Sequence, residues 1–129
     1  ALKWYRKAAD QGEVYAQFSL GAMYKNSEGV AQDHKKAEQW YCKAANQGFA
    51  NAQCNLGFIY FYGEGVAEDN NEAVRWFRKA ADQGQADAQF NLGVMYKNGI
   101  GVAQDHKEAM QWYRKAAEQG HAAAQRNVE

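Results

Sequence analysis

Four tryptophans, Trp4, Trp40, Trp76 and Trp112, stand 36 residues apart. Gly12, Gly48, Gly84 and Gly120 keep that interval, as do Ala16, Ala52, Ala88 and Ala124. So do Gly21, Gly57 and Gly93, and the aspartates Asp33, Asp69 and Asp105. No other feature restricts the fold as much. A fixed period of roughly 20 to 50 residues marks a stack of small supersecondary units, none able to bury its apolar face alone. Each unit touches only its neighbours, so the chain is expected to form an extended stack and not a closed globule.

The content of the period is helical, because proline is absent and apolar residues recur at spacings of three and four. The third repeat serves as the type. Its first helix is predicted over Gln85 to Asn98, with Ala88, Leu92, Met95 and Tyr96 on one stripe, which is the buried face. Gly93 stands beside that stripe in mid-helix, where glycine costs about 1 kcal/mol relative to alanine. Its recurrence as Gly21 and Gly57 predicts a neighbouring helix too close for a side chain. In the connection KNGIGVAQD, Gly99 and Gly101 accommodate positive φ and Val102 tucks back as an apolar anchor. The counterparts are NSEGVAQD and YGEGVAED; Ser27 stands where Gly63 and Gly99 stand, which leaves open whether the first loop makes the same turn.

Asp105 is predicted to cap the second helix, with Glu108 at capping-box spacing. Asp69 with Glu72 repeats the arrangement, while Asp33 with Lys36 keeps only the cap. The second helix runs to about Gln119, burying Ala109, Trp112, Tyr113, Ala116 and Ala117 and leaving Lys107, Glu108, Arg114 and Lys115 outside; Gly120 closes it. The tryptophans, beside core alanines, read as inter-helix packing. The fold class is therefore all-α, an α/α solenoid of antiparallel helix pairs with 36-residue repeats. Residues 1–12 read as the second helix of a truncated repeat, 13–48, 49–84 and 85–120 as full repeats, and 121–129 as a truncated first helix in which Val128 takes the place of Leu92.

Composition narrows the function. Fifteen basic and fifteen acidic side chains cancel, so no chain-wide field draws it to nucleic acid or to an anionic membrane. RNA-binding helical repeats of similar length are disfavoured on that ground. No run of about 18 apolar residues is present, so no membrane insertion is expected. Cys42 replaces the position of Arg6, Arg78 and Arg114, and Cys54 that of Phe18 and Phe90; the pair lies six residues either side of Gly48, and the spacing leaves a disulfide between them open. No His, Cys and carboxylate constellation recurs, so no metal site, nucleophile or cofactor is expected and the chain reads as a non-enzyme. His34, His106 and His121 read as solvated.

The residues Ala88, Leu92, Gly93, Tyr96, Gly99, Gly101, Val102, Asp105, Ala109, Trp112, Tyr113, Lys115, Ala116, Ala117 and Gly120 spell a pattern. It runs A-x-x-x-L-G-x-M/I-Y, G-x-G-V, D-x-x-x-A-x-x-W-Y/F-x-K-A-A-x-x-G and resembles the Sel-1-like repeat, a relative of the tetratricopeptide repeat, across essentially the whole chain. The resemblance implies a right-handed superhelix whose first helices line a concave surface. It further implies an adaptor, scaffold or host-interaction role, in many cases bacterial.

With the stripe buried, the opposite side of the first helices is the surface open to a ligand. Its rows are Tyr15, Ser19, Ala22 and Asn26; Asn51, Asn55, Phe58 and Tyr62; and Asp87, Asn91, Val94 and Asn98. Phe58 and Tyr62 are the expected apolar anchors for a partner peptide or helix. Asn55 and Asn91, with Asn127 in the next equivalent place, form an amide ladder suited to a peptide backbone. Lys25 and Lys97 flank the same helix ends as a carboxylate clamp resembling that of some tetratricopeptide domains, with Phe61 interrupting the series. Neither terminus carries a polar capping repeat, so end-to-end self-association is the second expectation, against a frayed monomer.

Overall fold

The structure is a computed structural model that describes residues 2–127. Val128, aligned by the period with Leu92, lies outside the described residues. Among the described residues eight helices follow one another: α1 (Leu2–Asp10), α2 (Val14–Asn26), α3 (His34–Asn46), α4 (Ala50–Tyr62), α5 (Asn70–Asp82), α6 (Ala86–Asn98), α7 (His106–Glu118) and α8 (Ala122–Asn127). No strand occurs among the described residues. Each helix packs chiefly on the one before and the one after it, the contact pattern of a solenoid.

The loops are made as the glycines require. Ser27, Gly63 and Gly99 end the first helices with φ of 60, 70 and 67°, each N–H returning to a carbonyl one turn back. The first loop therefore makes the same turn, with Ser27 accepting a left-handed conformation that costs glycine nothing. Asp33, Asp69 and Asp105 cap α3, α5 and α7, accepting from the amides of Lys36, Glu72 and Glu108 at 3.0, 3.1 and 3.0 Å. The capping box does not close. The amides of Asp69 and Asp105 donate instead to the carbonyls of Tyr60 and Tyr96 at 2.9 and 2.8 Å, so the first helix supplies the acceptor that a box glutamate would provide. Glu72 turns to Arg75.

A buried ring, not a helix backbone, is the chief neighbour of each mid-helix glycine. A Cβ on Gly57 would stand 2.6 Å from Phe77, and one on Gly21 or Gly93 would stand 2.9 Å from Tyr41 or Tyr113. Ala88, Leu92 and Met95 are buried as the stripe predicts, while Tyr96 and Ala117 stay half-exposed. Trp76 and Trp112 are buried, joining clusters that include alanines of the preceding repeat. Trp40 is half-buried beside Ala9 and Ala16. Trp4 departs from the packing expectation at 75% exposure, since the structure describes no earlier helix for it to lie on.

Between the repeats runs a buried amide ladder. Gln17, Gln53 and Gln89 are each only 5% exposed. Gln53 donates to the Ala45 carbonyl at 3.2 Å and accepts from Gln83 at 2.8 Å, and Gln83 also reaches the Gly48 carbonyl at 2.8 Å. Gln17 with Gln47, and Gln89 with Gln119, make the same links at 2.8 and 2.9 Å. Buried amides are tolerated when paired in this way, and each pair ties the turn of one repeat to that of the next.

Candidate partner-binding face

The first helices α2, α4 and α6 carry all eight residues singled out from sequence. On α4 the sequence FIYFY puts four aromatic rings at one end, three of which, Phe58, Phe61 and Tyr62, meet one another. Tyr62 is 63% exposed, its ring stacked on Phe58 at 6.3 Å and met edge-on by Phe61 at 4.9 Å. Phe58 sits lower, half-buried and edge-on to Phe77 at 5.1 Å. It belongs partly to the core and partly to the surface. Phe61, read from sequence as a gap in a lysine series, is instead part of the aromatic cluster; its adjacency to Tyr62 was the available signal.

The asparagines do not form an open ladder. Asn91, Asn98 and Asn127 turn their amides back onto the carbonyls of Asp87, Val94 and Ala123, at 2.7, 3.1 and 2.7 Å. Asn55 stands beside the Tyr41 phenol, which burial pushes up to about 12, with Asn55 pulling it down and Glu28 and Glu64 adding to the rise. The difference has a simple cause: the second repeat has Phe77 where the first has Tyr41, so Asn91 has no hydroxyl to meet. Val94 is half-buried. Lys25 and Lys97 lie on α2 and α6, two repeats apart with α4 between them.

His121 is not a solvated side chain. Its Nε2 meets Asp87 at 2.9 Å, its Nδ1 accepts the Ala124 amide at 3.2 Å, and its ring stacks on Phe90 at 4.8 Å. It caps α8, with the ring nitrogens assigned by those partners. Cys42 and Cys54 are free thiols. Burial pushes Cys42 up and Cys54 up to about 12, so neither is a thiolate near neutral pH. Among the described residues no group of three or more His, Cys, Asp or Glu is placed to hold a metal. None of the described helices is long and apolar enough to cross a membrane.

Stacked helix pairs, capped at each turn and carrying an aromatic cluster on one row of helices, define a helical-repeat solenoid. The chain belongs to the Sel1 repeat family: the family model described as Sel1 repeat matches residues 1–13, 14–49, 50–85 and 86–121. Proteins of this family are commonly protein–protein interaction modules and typically non-enzymatic scaffolds. Among solved structures, the chain is similar to a protective antigen present in uropathogenic Escherichia coli strains, at 48% identity and a TM-score of 0.93 over 95% of this chain. It is similar to a Sel1 repeat protein from Oxalobacter formigenes at 45% identity and a TM-score of 0.89 over 92% of this chain. Cysteine rich protein B of Helicobacter pylori is 29% identical, with a TM-score of 0.75 over 96% of this chain and 89% of its own. The chain spans 26% of the first of these proteins and 49% of the second. No curated protein matches significantly.

Proposed function

We propose that the chain is a non-enzymatic scaffold module that holds an extended segment or helix of a partner protein against the open side of α2, α4 and α6. The observation that carries this reading is the aromatic pair on α4: Tyr62 stands 63% exposed with Phe58 stacked beneath it. An exposed ring held by a second ring reaches a partner with little further loss of side-chain freedom, and aromatic anchors dominate interface energies. Asn55, Asn91 and Asn98 supply side-chain oxygens for a peptide backbone along the strip, and Val94 extends its apolar part. Lys25 and Lys97 flank the strip as separate charges rather than as one clamp. RNA is disfavoured as the ligand by a net charge of zero, and a salt-sensitive affinity for single-stranded RNA would reverse that preference.

The test uses Tyr62, whose exposure makes Tyr62→Ala neutral to folding. A partner captured by the intact chain should bind Tyr62→Ala about 30-fold more weakly, equivalent to about 2 kcal/mol, at unchanged thermal stability. Equal affinity for Tyr62→Ala and for a folded Phe58→Ala variant would reject this face.

A further inference from the structure

The second helices place an arginine against the tyrosine of the following first helix in two repeats and fail to do so in one. Arg6 donates to the Tyr24 hydroxyl, and Arg78 to that of Tyr96. The Arg78 guanidinium also lies 5.5 Å from the Tyr96 ring centre. At the equivalent place before Tyr60 the chain has Cys42, whose side chain ends at Sγ, far short of a guanidinium. The nearest cation, Arg75, faces Cys42 and Tyr60 electrostatically, but its guanidinium is bonded to Glu72 and not to the Tyr60 hydroxyl. The Tyr60 hydroxyl turns to Glu38 Oε2 at 3.2 Å, and among the described residues Glu38 has no basic partner within ion-pairing distance.

A second cation is missing as well. In the first repeat Lys36 stands 5.4 Å over the Tyr24 ring, and Glu72 occupies the matching position below Tyr60. Glu72 is occupied by Arg75 at 2.8 Å, which leaves Glu38 as the uncompensated carboxylate. Burial and the Glu38 carboxylate together push the Tyr60 phenol up to about 12, so the hydroxyl remains a neutral acceptor and donor.

We infer that the seat framed by Tyr60, Glu38 and Cys42 receives an arginine side chain from a partner protein. The chain's own repeats show the occupant: a guanidinium on a tyrosine hydroxyl, in one of them also over the ring. A carboxylate at the seat adds a charge-assisted bond that the sister repeats lack, and the planar fork of arginine engages hydroxyl and carboxylate together where lysine offers one point charge. This seat is separate from the aromatic face. Tyr60 is two residues from both Phe58 and Tyr62, and at 3.6 residues per turn that places it on roughly the opposite side of α4.

The probe is N-acetyl-arginine amide, titrated into the chain and followed by nuclear magnetic resonance of the Tyr60 ring. Saturable shifts are expected with a dissociation constant on the order of 1 to 10 mM for so small a ligand, and N-acetyl-lysine amide should bind more weakly. Cys42→Arg should abolish the shifts and raise the melting temperature, because the chain then fills its own seat. Cys42→Ala and Phe58→Ala should retain binding, and Glu38→Gln should weaken it about tenfold. Unchanged binding in Cys42→Arg, absence of saturable shifts at Tyr60, or a lowered melting temperature for Cys42→Arg would each overturn the assignment.

Discussion

Replacing Gly57 with alanine sets two effects of known size against each other. Alanine in a helix interior is favoured over glycine by about 1 kcal/mol. Against that, the added Cβ would stand 2.6 Å from two carbons of the Phe77 ring, where carbon atoms prefer roughly 3.5 to 4.0 Å. The ring must move by about 1 Å, and it has nowhere to go: Phe77 is 1% exposed and wedged against Phe58. Overpacking a filled core costs about 1 to 3 kcal/mol, and the tightness of this contact argues for the upper end. The expected net destabilisation is about 2 kcal/mol. With an unfolding entropy of about 2.1 cal/mol/K per residue, that lowers the melting temperature by about 7 °C. Gly21→Ala, whose Cβ would stand 2.9 Å from Tyr41, should cost about half as much. Urea unfolding of Gly57→Ala, Phe77→Leu and the double variant measures the coupling directly, and the double variant should recover more than about 1 kcal/mol relative to additivity. A Gly57→Ala variant more stable than the parent, or additive costs, would refute the close-approach account of these glycines.

Two further outcomes follow from buried polar groups. Tyr41 stays protonated in the fold up to about 12 against an ordinary 10.0; its contribution to stability should be complete below about pH 10 and fall by on the order of 2 kcal/mol as pH rises toward 12, beside the losses from Tyr60 and Cys54, whose groups are raised likewise. Tyr41→Phe should lessen the slope in denaturant titrations across the same window, leaving the part due to Tyr60 and Cys54, and an unchanged slope would show that Tyr41 carries none of it. Gln53→Ala removes the links to Ala45 and Gln83 and should cost about 2 kcal/mol, with faster amide exchange at the turns around Gly48 and Gly84. An unaltered exchange pattern would mean that the amide ladder does not couple the repeats.

Much of the fold was legible because its causes are local. Asp69 caps α5 because a short acceptor before an amphipathic run satisfies amides within its own turn, and Gly63 and Gly99 end their helices because the next bond needs positive φ. The binding face was legible only in outline. Tyr62 and Phe58 could be placed on one side of α4 by counting, but the depth of Phe58 depends on Phe77, a residue of another helix. The asparagines do not behave alike, because Asn55 stands beside the Tyr41 hydroxyl while Asn91 turns to its own helix, and the difference turns on a single hydroxyl in the preceding second helix. Glu108 at capping-box spacing misled, since the Asp105 amide is already taken by Tyr96.

By itself the sequence determined the all-helical character, the repeat and its 36-residue length, and the family, because periodicity, caps and turn residues act within a few positions of one another. Only the tertiary structure decided that Gln53 is buried and paired across about 30 residues, that His121 caps a helix while holding Asp87, and that Tyr60 lacks the arginine its sister tyrosines have. Burial and hydrogen-bond partnership are settled by groups distant along the chain. A polar letter in an amphipathic helix carries no mark of whether water or another repeat will satisfy it.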